Sequence, residues 1–156
     1  MREWIELLGN NDYLGVKKYL KEGGDVNEEN ESGESVLVQA IRKKCDDDII
    51  DLLLEQGADL YDFDNEGVSV FDFAVMYNNL RIVDMLLEQG FDVNRTQRRS
   101  RFTPLMGAVC YGRREIAEKL LTAGADRDAV DDHGLRAYDY ARKMQKTAMV
   151  ELLERS

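Results

Sequence analysis

Apolar residues along this chain fall into pairs of short runs at helical spacing, separated by polar turns. Phe71, Phe73, Ala74 and Val75 outline one short helix, and Ile82, Val83, Leu86 and Leu87 outline the apolar face of a second. Gly90 ends that second helix by accepting a left-handed backbone. The pattern returns as Leu105, Ala108 and Val109, then Ile116, Ala117, Leu120 and Leu121 before Gly124. Thr103 and Pro104 supply a side-chain cap and a proline whose missing N–H costs nothing in a first helical turn. Each unit therefore predicts helix, tight turn, helix, loop. Helices of roughly ten residues are marginal alone, so the core is expected between units. Ala40, Ala74, Ala108 and Ala141 let first helices approach, while Ile and Leu faces of second helices fill the seam.

The units repeat in register. Gly23-Gly24-Asp25-Val26-Asn27, Gly57-Ala58-Asp59-Leu60, Gly90-Phe91-Asp92-Val93-Asn94 and Gly124-Ala125-Asp126-Arg127 place their first glycines 34, 33 and 34 residues apart. A second series begins at Glu34, Val68, Phe102 and Leu135, at intervals of 34, 34 and 33 residues. Two independent series at one period indicate a stack of similar units, which offers a long surface and not a single deep pocket.

Asp64-Asn65-Glu66-Gly67, Thr103-Pro104-Leu105-Met106-Gly107-Ala108, Gly112, Ile116 to Leu121 and Gly124-Ala125-Asp126 together resemble the ankyrin-repeat pattern. The resemblance runs from Trp4 to Leu153 and implies an all-α solenoid of stacked helix-turn-helix units with hairpin loops, forming a single domain. The expected parts are an N-terminal cap at 1–29, repeats at 30–63, 64–97 and 98–130, and a C-terminal cap at 131–156. Polar residues on the first unit (Asn10, Asn11, Asp12, Lys17, Lys18, Lys21) and Ala148, Val150, Leu152 and Leu153 in the last are expected to close a complete stack. The family's histidine after Thr-Pro-Leu is missing: Val38, Asp72, Met106 and Asp139 stand there, so its bracing bond is absent or replaced and modest stability is expected. One extra residue falls within Lys44 to Asp48 and another between Asn94 and Arg101. Arg101 stands where Gly33, Gly67 and Gly134 stand, and an arginine that resists positive φ predicts a differently shaped third tip.

Composition narrows the chemistry. A formal charge of −10 disfavours nonspecific nucleic-acid or anionic-membrane binding. There is no signal-peptide pattern and no membrane-length apolar run. Cys45 and Cys110 stand in different units and offer neither a disulfide framework nor a Cys-x-x-Cys metal site, which suits a reducing cytoplasm. His133 is the one histidine and lies in an expected loop; Asp46-Asp47-Asp48 lacks the spaced ligands of a calcium loop. No nucleophile with an adjacent base and no phosphate loop can be assembled. No catalytic residue, metal site or cofactor is expected, and the chain reads as non-catalytic.

Binding to another protein is the expected function, with a structural or self-assembling adaptor as the alternative and an enzyme as the weakest. The resemblance implies a concave face built from hairpin tips and exposed sides of first helices. Carried over, it selects Asn65, Glu66, Val68, Met76 and Tyr77, then Phe102 and Tyr111, then His133 and Leu135. Arg95, Arg98, Arg99 and Arg101 join them as a basic run in an acidic chain, which reads either as a solvated loop or as a patch suited to an acidic segment of the partner. Aromatic and methionine side chains concentrate binding energy when desolvated. Alone, the chain is expected to be a monomer.

Overall fold

The structure is a computed structural model in which residues 1–154 are described. The chain divides into two compact units, Met1–Phe73 and Ala74–Ser156, with the division inside the fifth helix. The first unit holds α1 (Arg2–Gly9), α2 (Tyr13–Lys21), α3 (Val36–Arg42), α4 (Asp47–Glu55) and the start of α5 (Val70–Met76). The second holds the end of α5, then α6 (Leu80–Glu88), α7 (Pro104–Cys110), α8 (Arg114–Thr122), α9 (Ala137–Lys143) and α10 (Thr147–Glu154). The described residues thus form ten helices in helix-turn-helix hairpins, with two isolated bridges, Glu29–Ser35 and Phe63–Ser69, and no sheet.

Within each unit the hairpins stack like on like. In the first, α1 packs on α2 and α3, while α2 and α3 both pack on α4. In the second, α7 packs on α8 and α9, while α8 and α9 both pack on α10. The apolar period supplies the contacts: Ile49, Ile50 and Leu53 of α4, Ile82, Val83 and Leu86 of α6, and Ile116, Ala117 and Leu120 of α8 are fully buried. Ala40, Ala74, Ala108 and Ala141 are buried too, as close approach of first helices requires. Trp4 fills the first hairpin, edge-on to Tyr19 at 5.0 Å, and its indole N–H donates to the Asp25 carbonyl at 3.1 Å.

Two details of the end hairpins depart from the pattern. Ile5 and Leu14 are 41% and 75% exposed, so the outer face of the first hairpin is not wholly polar. At the other end Met149 is buried with Leu153, while Ala148 is exposed. The extra residue of the first inter-helix turn is present: Lys43 to Asp46 separate α3 from α4, where only Tyr77 to Asn79 separate α5 from α6. The added length seats Cys45 inward, its thiol donating to the Leu8 carbonyl at 3.2 Å.

The missing histidine is replaced by other acceptors. Asp72 Oδ2 accepts from the Ser69 amide and hydroxyl, both at 3.0 Å, and Asp139 Oδ2 accepts from the Arg136 amide at 2.8 Å. Met106 takes the Thr103 amide on sulfur at 3.4 Å while Thr103 Oγ1 accepts from the Met106 amide. At α5 and α7 these are reciprocal capping boxes, while at α9 only the Asp139 half forms, since the Arg136 guanidinium cannot accept; each bond satisfies an orphan donor at a helix start. Val38 has no such group, and only Ser35 Oγ caps α3, accepting from the Val38 amide at 3.3 Å.

Loops are joined by carboxamides. Asn27 Nδ2 donates to the Gly57 carbonyl at 3.1 Å and Asn27 Oδ1 accepts from the Asp59 amide at 3.2 Å. Asn94 repeats this with Gly124 (3.0 Å) and Asp126 (2.7 Å). Hairpin tips are stitched as well: the Asn65 amide donates to Ser32 O at 3.0 Å, and the Asp132 amide to Ser100 O at 2.9 Å.

Replacing Leu86 or Leu120 by alanine leaves a cavity in a fully buried seam and is expected to cost about 2–5 kcal/mol in urea unfolding. Two glycines should respond in opposite directions. Gly33 has φ +80° and its added Cβ would lie 2.5 Å from Asn65 Oδ1 and 3.0 Å from the Asn65 backbone nitrogen, so Gly33→Ala should destabilise. Gly107 lies inside α7, where a Cβ would meet only ordinary contacts at 3.8 Å (Phe102) and 3.9 Å (Val75). Gly107→Ala should therefore raise the unfolding midpoint, by about 0.5–1 kcal/mol of helix propensity.

Candidate partner-binding surface

The basic run lies on a hairpin tip held by unusual chemistry. In three tips the first residue, Asn30, Asp64 or Asp131, folds the turn through its side-chain oxygen: Oδ1 accepts the amides two and four residues on at 2.9–3.1 Å. Its own amide reaches the carbonyl four residues on, at 3.0 Å. Arg98 occupies this position in the third tip and cannot accept. Thr96 substitutes for it: the Arg98 amide donates to Thr96 Oγ1 at 3.1 Å, and that hydroxyl donates to the Phe102 carbonyl at 3.0 Å. The residue added between Asn94 and Arg101 thus makes room for a hydroxyl bridge where the other tips bond directly.

Arg101 corrects the expectation of a differently shaped tip. Its φ is +56°, left-handed like Gly33, Gly67 and Gly134 at +80°, +81° and +73°. Its amide donates to the Arg98 carbonyl at 3.0 Å, the same bond that the glycines make in their tips. The turn and the stitch to Asp132 hold a side chain in a conformation that costs about 1–2 kcal/mol.

The arginines are not equivalent. Arg95, Arg99 and Arg101 are exposed, and Arg101 lies 3.9 Å from Asp132 across open surface. Arg98 is half-buried, its guanidinium 5.1 Å over the Phe102 ring. Phe102 stands edge-on to Tyr140 at 5.6 Å, and the Tyr140 hydroxyl donates to Asp131 Oδ2. The result is a line Arg98–Phe102–Tyr140–Asp131 running from one tip to the next. Phe102 is thus sandwiched and half-buried. Tyr140 and Asp131 were absent from the expected site, although the Asx position of Asp131 carried a signal for it; nothing in the spacing marked Tyr140.

Burial pushes the Tyr140 phenol up, and its bond to the Asp131 carboxylate adds to this, to about 12. For Asp131 burial acts upward, but the Tyr140 hydroxyl and the Leu135 and His133 amides outweigh it and hold the carboxyl below its usual range. The Arg136 guanidinium and amide likewise lower Asp139. His133 is exposed, with its amide bound to Asp131, and Leu135 is half-buried.

At the opposite end of these first helices an apolar row occurs. Tyr77, Tyr111 and Met144 directly follow α5, α7 and α9. Tyr111 is 48% and Met144 46% exposed, whereas Tyr77 and Met76 are half-buried. Arg113 is drawn inward: its Nη2 and Nε donate to the Met76 carbonyl at 2.8 and 3.2 Å, fixing the turn that carries Tyr111. Arg114 pairs along its own helix with Glu118 at 3.0 Å.

Asn65, Glu66 and Val68 belong to the first unit. Asn65 is exposed but committed to joining tips, its Nδ2 donating to Glu31 O at 3.0 Å. Glu66 is exposed and Val68 half-buried. In the same unit Glu34 is buried between Asn30 and Arg42. Burial there acts upward, but the Arg42 and Asn30 bonds bring its carboxyl below the usual range.

Among the described residues no group of three or more His, Cys, Asp or Glu is placed to hold a metal ion, and no helix is long and apolar enough to cross a membrane. Burial raises both thiols, Cys45 to about 11, so neither is an activated thiolate near neutral pH. An open groove of about 550 Å3 between α6 and α8 is lined by Asp84, Glu88, Glu115 and Glu118, with Lys119 paired to Asp84 at 2.9 Å.

Stacked hairpins joined at their tips, with side chains displayed on tips and helix ends, define a repeat-built scaffold. The chain belongs to the ankyrin-repeat family: a family model described as Ankyrin repeats (3 copies) matches residues 6–97, and Ankyrin repeats (many copies) matches 86–141. It is 35% identical over 107 residues to E3 ubiquitin-protein ligase Ufd4 of Drosophila melanogaster, covering 69% of this chain and 4% of that protein. It is 37% identical over 68 residues to human protein phosphatase 1 regulatory subunit 27, covering 44% of each. It is also 35% identical over 123 residues to the nuclear factor NF-kappa-B p105 subunit of Gallus gallus, covering 76% and 12%. The chain therefore spans a small part of the large proteins it matches.

Tyr140→Phe should cost about 1–2 kcal/mol by leaving Asp131 Oδ2 without its donor. The carboxyls held low (Asp131, Asp139) contribute stability that is full above their ordinary value of 3.8 and fades as pH falls below it. The raised phenol contributes stability that is full below pH 10 and fades as pH climbs toward about 12. Circular dichroism against pH should show both limbs, and Tyr140→Phe should remove the alkaline contribution and shift the acid limb to higher pH.

Proposed function

We propose that this chain is a non-catalytic protein-binding module, and that its partner docks on the second unit across the arginine tip and the first-helix ends. The observation that carries this reading is the row Tyr77, Tyr111 and Met144, two of whose three side chains are about half exposed on a rigid scaffold. Large side chains of this kind supply most of the energy of a protein interface when covered. Phe102 and Tyr111 lie at opposite ends of α7, about 13 Å apart along its axis, so one partner can engage both. His133 and Leu135 extend the surface onto the next tip, and Asn65, Glu66 and Val68 offer the corresponding positions of the first unit.

Arg95, Arg99 and Arg101 supply an exposed basic rim that favours an acidic segment of the partner. Arg98 has a different role, holding Phe102 in place through the stacked guanidinium. A relative named as a regulatory subunit of protein phosphatase 1 fits a chain that acts by binding another protein and not by chemistry of its own. A buried area near 800 Å2 per partner is the usual size for a specific complex.

The test is kinetic, using a partner identified by affinity capture. Arg95→Ala, Arg99→Ala and Arg101→Ala combined should slow association and flatten its salt dependence, because rim charges act on encounter. Tyr111→Ala should speed dissociation instead, with folding unchanged. Wild-type rates in both variants would remove the surface from the second unit. A dimer whose dissociation alone responds to Tyr111→Ala would replace the reading with self-assembly.

A further inference from the structure

Between Cys45 and Leu80 there are ten carboxylates and no lysine, arginine or histidine. Of the chain's 31 acidic residues the other 21 are matched by its 21 lysines and arginines, so the entire formal charge of −10 resides in this stretch. All ten carboxylates lie in the first unit. Asp64 and Asp72 are committed to folding the tip and capping α5. Asp59, Asp62 and Glu66 flank a different feature: Tyr61 and Phe63, 52% and 49% exposed, two residues apart on the arm leading into the Phe63–Ser69 bridge. Through one oxygen each, Asp59 and Asp62 accept the Tyr61 and Phe63 backbone amides at 2.9 Å, which anchors each carboxylate to the backbone of a ring-bearing residue.

The geometry points to a second docking surface, on this loop of the first unit, for an arginine- or lysine-rich segment of a partner protein. Charge complementarity selects the occupant. An apolar partner would have to strip water from several carboxylates without replacing it, and an acidic partner would be repelled. A guanidinium satisfies both features, since its face is attracted to an aromatic ring and its edge donates to a carboxylate. The same unit builds such a grouping internally, where Arg42 lies 5.1 Å over the Phe73 ring while paired with Glu34. Around Tyr61 and Phe63 the loop offers the same two ingredients at the surface, half-exposed rings and, at Asp59 and Asp62, carboxylates close by in the chain. This surface is separate from the one on the second unit and opposite in charge requirement, so the two stand or fall independently.

A fluorescein-labelled twelve-residue peptide of alternating arginine and glycine tests the surface by anisotropy with the whole chain. Binding is expected at low salt and should weaken as salt rises. Tyr61→Ala with Phe63→Ala should weaken it about fivefold or more, as two exposed cation–π contacts require. Asp59→Asn with Asp62→Asn keeps the oxygens that accept the loop amides and should lower both affinity and its salt dependence. Arg99→Ala with Arg101→Ala should not weaken binding. Unchanged circular dichroism separates these effects from misfolding. No binding at low salt overturns the proposal. So does wild-type affinity in the double aromatic variant, which leaves unspecific attraction to an acidic protein. Sedimentation showing that the chain self-associates through the same two rings would also overturn it.

Discussion

Short helices that cannot bury their apolar faces alone impose the constraint on which everything else in this protein rests. The helices run seven to nine residues, a length at which hydrogen bonds alone do not hold a helix in water. Each acquires its stability from the hairpin beside it, so Ile49, Ile50 and Leu53, or Ile116 and Leu120, serve two neighbours at once. With the inner faces fully used for stacking, the tips and helix ends are what remains for display. Variation is cheap there and expensive at the seams, which explains why the unusual residues of this chain concentrate on the tips.

The third tip shows how far such variation can go without changing the turn. Gly and Asx residues were replaced by Arg101 and Arg98, and the backbone nonetheless follows the same course. A threonine hydroxyl takes over the acceptor role, a ring takes up the guanidinium, and the neighbouring tip supplies a further bond. Three weak substitutions together reproduce what one glycine and one carboxylate do elsewhere. Where the other tips carry acids, this one carries two exposed cations, Arg99 and Arg101, and a half-buried one, Arg98.

The period of the glycines and the Ile/Leu faces made hairpins, turns and buried leucines legible in the sequence, because these depend on spacing alone. Individual side-chain partners were less so. The backbone of Arg101 went the other way because intrinsic preference is small beside the bonds of a formed turn. The sandwiching of Phe102 by Arg98 and Tyr140 could not be seen, since it joins residues 38 apart in positions the repeat leaves variable. Nor could the inward turn of Arg113 onto Met76 be read from a run of basic letters. Leu14 shares its helix face with Lys17, Lys18 and Lys21, so its exposure follows the polar side of that helix, whereas Ile5 stands three residues before the buried Leu8 and is exposed all the same.

The carboxamides of Asn27 and Asn94 carry a liability of another kind. Each must donate to a glycine carbonyl and accept an amide at once, which a carboxylate cannot do. Spontaneous hydrolysis of either side chain to a carboxylate would set an anion against a carbonyl oxygen and abolish the donor. The joins between hairpins therefore depend on two carboxamides staying chemically intact, a demand that the leucine seams do not make.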